Sequence, residues 1–137
     1  MATKNIRVVQ ILLVEDNPVD VQLLKELLNT VAIPTHLHAV RSVEVALGVL
    51  RYERQAAQAP RPDVIFLDQG LPGMDGLRLL EEITNDPMLR AIPVVLFSST
   101  DYKKDHLVAA GLVAAYLTKS LGRVQFRELL EKLSRLT

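Results

Sequence analysis

Apolar residues fall into two kinds of block along the chain, and the contrast between them predicts an architecture. Val9 to Val14 (VQILLV), Val64 to Leu67 (VIFL) and Val94 to Phe97 (VVLF) are short, nearly continuous apolar runs rich in β-branched side chains. Runs of this kind belong to strands covered on both faces, as in a parallel sheet. Between them apolar positions recur at helical spacing: Val21, Leu24, Leu27 and Leu28, then Val45, Ala46, Val49 and Leu50, then Leu77, Leu80 and Ile83. A stripe with that period marks the buried face of a crossover helix. Two weaker strands, over roughly 35–41 and 114–118, and two later helices, over roughly 101–110 and 124–136, complete five strand–helix units. Regular alternation of this length predicts an open, doubly wound α/β sheet with helices on both faces, since a barrel would need about eight units.

Composition narrows the picture. With 137 residues, 49% of them hydrophobic, the chain reads as a single domain over 1–137 able to bury one core. Pro60, Arg61 and Pro62 mark an extended connection rather than a boundary. Sixteen basic and sixteen acidic residues cancel, so the electrostatic footprint of a nucleic-acid binder is missing from the totals. The absence of cysteine rules out a disulfide framework and a thiolate metal site. No apolar run approaches the eighteen or so residues of a membrane span, and the expectation is a cytoplasmic protein with neither a nucleic-acid nor a membrane partner.

In doubly wound sheets ligands bind beyond the carboxyl ends of the strands, so chemistry is sought there. The residues closing the strands are Glu15 and Asp16 after the first, Asp68 after the third, Ser98 and Ser99 after the fourth, and Lys119 after the fifth. Desolvating a carboxylate costs several kcal/mol, so three acids meeting in one crevice require a cation between them. Mg²⁺ suits the set, because it takes one or two carboxylates, keeps several waters and accepts phosphate oxygens as further ligands. A carboxylate so placed can carry a covalent phosphoryl group while metal and lysine neutralise its charge. Asp68 is the best candidate, since it ends the central strand ahead of a turn-forming segment, GLPGMDG, that can offer backbone carbonyls to a metal. Ser98 would donate its hydroxyl to the arriving phosphoryl group.

Glu15 and Asp16 in LLVEDNP, Asp68 in VIFLDQGLPGMDG, Ser98 in VVLFSS and Lys119 in YLTKS together resemble the receiver domain of two-component response regulators, over nearly the whole chain. Within that family, LLVEDNPVD, APRPDVIFLD, DPMLRAIPVV and TKS are similar to the stand-alone regulators that partner bacterial phytochromes. The resemblance implies a flavodoxin-like fold of five parallel strands in the order 2-1-3-4-5 with five helices. It implies that Asp68 takes a phosphoryl group from a histidine kinase, of the phytochrome type on the narrower match. Asp16, Asp68 and the backbone carbonyl of Gly70 would ligate Mg²⁺, with Glu15 acting on the ion mainly through water. Ser98 and Lys119 would hold the phosphoryl group, and Tyr116 would be the aromatic switch residue. It further implies a signalling domain that assists its own phosphoryl transfer rather than a conventional enzyme, and a homodimer built on the face of the helix at 101–110, the fifth strand and the last helix.

Two departures from the family pattern stand out. Ser120 follows Lys119 where proline is usual; a cis bond before serine costs about 3 kcal/mol, so that peptide is either trans or enforced by the fold. Ser98 replaces the common threonine and keeps its hydroxyl.

Plainer roles compete for the same residues. Asp16 or Asn17 can cap a helix with Pro18 in its first turn, and Ser99, Thr100 or Asp101 can cap a later one. Lys119 alone reads as a solvated lysine and Tyr116 as a half-buried strand residue. His36, His38 and His106 read as surface or packing residues, and Leu112 and Val113 either pair two chains or pack on the sheet. A phosphatase with a strand-end aspartate nucleophile requires a second acid two residues on, where this chain has Gly70. A phosphorylation-independent binding module remains the other alternative.

Overall fold

The computed structural model describes residues 8–55, 61–68, 75–98, 113–118 and 123–135. Their elements are β1 (Val9–Val14), α1 (Pro18–Asn29), β2 (Thr35–Val40), α2 (Val43–Gln55), β3 (Val64–Asp68), α3 (Asp75–Asn85), β4 (Val94–Ser98), β5 (Ala115–Thr118) and α4 (Arg123–Arg135). The sheet runs in the order β2-β1-β3-β4-β5, with every neighbouring pair parallel. The helix expected over 101–110 lies outside the described residues.

Alternation along each strand sends side chains to opposite faces, and each face carries its own core. On one, Leu12, Val14, Ile65, Leu67, Val94 and Leu96 pack under α2 and α3, which contribute Val43, Ala46, Leu47, Leu50, Leu79, Leu80 and Ile83. On the other, Ile11, Leu13, Val64, Phe66, Val95 and Phe97 pack under α1 and α4, through Leu24, Leu27, Leu28, Phe126 and Leu130. This double covering is why β1, β3 and β4 read as unbroken apolar runs. Among the described residues β2 has a neighbour on one side only, and of its six residues just Val40 is fully buried.

Two helical faces differ from expectation. In α3 the buried residues are Leu79, Leu80 and Ile83, whereas Leu77 is 37% exposed. In α2 Val43 and Leu47 enter the core beside Ala46 and Leu50, leaving Val45 exposed and Val49 only partly buried. A helical stripe is wider than its minimal periodic set, and contact with the sheet selects which flank is covered. Val113 is buried against the sheet, which decides between its two expected roles; Leu112 lies outside the described residues. Across the exposed seam between α2 and α3, Arg51 pairs with Glu82 at 2.9 Å and Arg78 with Glu44 at 3.3 Å.

Candidate functional site

Backbone pairing brings the acids together. Val14 of β1 stands in register with Leu67 of β3, so the next residues, Glu15 and Asp68, leave the sheet side by side. The ladder continues one step on the other flank, where the Glu15 amide donates to the Val40 carbonyl at 2.9 Å. Asp68 is itself the last residue of β3, paired in register with Phe97 of β4.

Carboxylate oxygens of Glu15, Asp16 and Asp68 lie within 4.8 Å of one another. Their surroundings differ. Glu15 is 1% exposed and Asp68 6%, while Asp16 faces solvent. Glu15 Oε1 accepts the backbone N–H of Asn17 at 3.1 Å, and Asn17 Oδ1 accepts the N–H of Val19 at 2.9 Å. Asn17 is thus the N-cap of α1, with Pro18 beginning the helix. Of the two expected caps Asn17 serves, which leaves Asp16 unconstrained by capping. The cap and the acid cluster form one structure: the turn that starts the helix also holds Glu15 beneath it.

The donor set fits a hard divalent cation. Three carboxylates supply oxygen ligands only, and two of them sit where water screens poorly, so a cation relieves both their repulsion and their desolvation. The exposed Asp16 leaves one side of the cluster accessible. Beneath the site, Phe66 and Phe97 pack with ring centroids 6.4 Å apart, and Phe126 of α4 lies 6.3 Å from Phe66. Phe66 precedes Asp68 by two residues on the same strand face, so a buried aromatic cluster lies next to the acid along that face. This cluster was missed from sequence, although strand parity places Phe66 on the face of Asp68.

The other expected site residues are only partly visible. Ser98 ends β4 and Tyr116 lies in β5, one strand over, in register with Leu96; for both, the description extends to the backbone alone. Gly70, Lys119 and the Lys119–Ser120 peptide lie outside the described residues.

The response regulator receiver domain model matches residues 11–132. The chain belongs to that family. Receivers are signalling domains that partner with histidine kinases, and as a family they bind a divalent metal. This receiver is 39% identical over 111 residues to the response regulator Rcp1 of Synechocystis sp., covering 80% of this chain and 76% of that protein. It is similar in structure to the phosphorylated cyanobacterial phytochrome response regulator RcpA, with a TM-score of 0.71, 37% identity and coverage of 94% and 93% of the two chains. Against the Mn²⁺-bound form of Rcp1 the TM-score is 0.67 at 34% identity, with 90% of each chain covered. No helix among the described residues is long and apolar enough to cross a membrane.

Proposed function

We propose that this receiver accepts a phosphoryl group on Asp68 from a histidine kinase in a Mg²⁺-dependent reaction, and that phosphorylation changes its protein contacts. The observation that carries the reading is the convergence of Glu15, Asp16 and Asp68 at the carboxyl ends of β1 and β3, in a chain of the receiver family. Similarity to RcpA, a cyanobacterial phytochrome response regulator, supports a kinase of the phytochrome type, and the Mn²⁺-bound form of Rcp1 supports a divalent ion.

In this reading an Asp68 carboxylate oxygen attacks the phosphorus of a phosphohistidine. The new P–O bond forms as the P–N bond breaks, and the imidazole leaves with the electron pair and takes up a proton from solvent. Asp16, Asp68 and the Gly70 carbonyl would hold the ion, with Glu15 acting mainly through water, and Mg²⁺ when bound would neutralise charge on the transferring group. Asp68 needs no general base, because a carboxylate is already the nucleophile. Lys119 and the Ser98 hydroxyl bind the phosphoryl oxygens, and the resulting shift of the Ser98 segment alters the face that carries Tyr116. A single receiver domain, a further helix over 101–110, and a homodimer on the face of that helix, β5 and α4 complete the proposal.

The test is intact-protein mass after incubation with Mg²⁺ and acetyl phosphate, beside Asp68→Asn and a chelated control. A gain of one phosphoryl mass in the wild type, absent from both controls, is expected. An equal gain in Asp68→Asn would overturn the assignment of the acceptor. No gain with either acetyl phosphate or a phosphorylated phytochrome kinase would leave the phosphorylation-independent binding module as the better account.

A further inference from the structure

We propose that His36 and His38 on the outer strand β2 form a chelating site for a borderline transition cation such as Cu²⁺, Ni²⁺ or Zn²⁺. This site is distinct from the carboxylate cluster in both position and chemistry.

Residues two apart on a strand project to the same face, roughly 6.7 Å apart along it, and both imidazoles are exposed. At that spacing two rings leaning toward each other can reach one ion with metal–nitrogen bonds of about 2.0–2.1 Å. Position in the sheet keeps the site open, because among the described residues β2 is an outer strand paired with β1 alone.

A second observation concerns which nitrogen is available. Gln10 stands in register with His36, and its Oε1 lies 3.1 Å from His36 Nδ1. An amide oxygen only accepts, so the contact suits the ring tautomer with its proton on Nδ1, which leaves Nε2 to face an ion. Metal-binding histidines are oriented by the same device, with one ring nitrogen donating to a fixed oxygen and the other facing the ion.

Ligand type separates this pair from the acidic site. Two neutral imidazoles suit Cu²⁺, Ni²⁺ and Zn²⁺ and offer little to Mg²⁺, which prefers oxygen. The sites are also separate: His38, the nearer of the two, stands in register with Leu12, three residues before Glu15 on the same extended segment, a rise of roughly 10 Å. Water would complete the coordination shell.

The test is calorimetric titration of the tag-free full chain with Ni²⁺, Zn²⁺ and Cu²⁺ in turn, at neutral pH and with excess Mg²⁺ present. Wild type, His36→Ala, His38→Ala, His106→Ala and Asp68→Asn are compared, with circular dichroism confirming that each variant is folded. One ion per chain is expected beyond any that the carboxylate cluster takes up, with the affinity of that added ion reduced by about tenfold or more in either strand variant. The affinity of that ion in His106→Ala should match wild type, Asp68→Asn should alter only binding at the carboxylate cluster, and Cu²⁺ should bind the histidine pair more tightly than Zn²⁺. Wild-type affinity in both strand variants, loss of binding in His106→Ala, or displacement of the ion by Mg²⁺ would each overturn the proposal.

Discussion

Neutralising Asp68, the acceptor in the proposed function, should reverse its effect on stability according to whether metal is present. Glu15, Asp16 and Asp68 have carboxylate oxygens within 4.8 Å of one another, and Glu15 and Asp68 are both buried. Two unit charges at that separation, with an effective dielectric constant near 20, repel by about 3.5 kcal/mol. Hydrogen bonds such as the Asn17 N–H to Glu15, together with solvent around Asp16, offset much of this and leave on the order of 1 kcal/mol. Asp68→Asn removes one charge while nearly preserving shape. In chelator the variant should therefore melt about 3–5 °C above wild type. If Mg²⁺ binds the cluster as proposed, then at about 100 times its dissociation constant it should stabilise the wild type by about 2.7 kcal/mol, an effect the variant should largely lose. The two melting curves, followed by circular dichroism with and without Mg²⁺, should exchange order. If Asp68→Asn melts at or below wild type in chelator, repulsion within the cluster does not govern the metal-free protein and the reasoning fails.

Three further outcomes rest on single contacts. Asn17→Ala removes the cap of α1 and should cost about 1 kcal/mol in urea unfolding, while Asn17→Asp should cost little. Asp63 accepts the Gln10 N–H at 2.8 Å, and its own amide returns a hydrogen bond to the Gln10 carbonyl. Asp63→Ala should therefore lower stability by about 1–3 kcal/mol, with the Gln10 amide exchanging faster with solvent. Arg51 and Glu82 are both well exposed, so a double-mutant cycle should return a coupling of only about 0.2–1 kcal/mol, fading with added salt.

Legibility from sequence followed burial. β1, β3 and β4 are covered on both faces, so their apolar runs stood out, and β3 and β4 each extend one residue further than the runs, to Asp68 and Ser98. Those two residues are polar, yet their backbones still pair, because a ladder depends on amides rather than side chains. The acid cluster was legible because strand ends in a doubly wound sheet converge. What differed within it was burial: adjacent residues Glu15 and Asp16 have opposite exposure, set by the turn into α1. Leu77 and Val45 were misplaced because periodicity identifies an apolar stripe but not its centre. The latch between Gln10 and Asp63, and the ion pairs joining α2 to α3, join distant residues and carry no local signal.

The same latch bears on how the chain comes into being. Gln10 and Asp63 are 53 residues apart in sequence, so at 5–20 residues per second a ribosome needs about 3–10 s to supply the second partner after the first. Throughout that interval β1, the run VQILLV, has at most β2 beside it and an open apolar edge on the other side. A parallel sheet offers no hairpin to close that edge early. The soluble yield of this protein in a cell should therefore depend on elongation rate, temperature and chaperone supply to a degree that the equilibrium stability of the finished fold does not foretell.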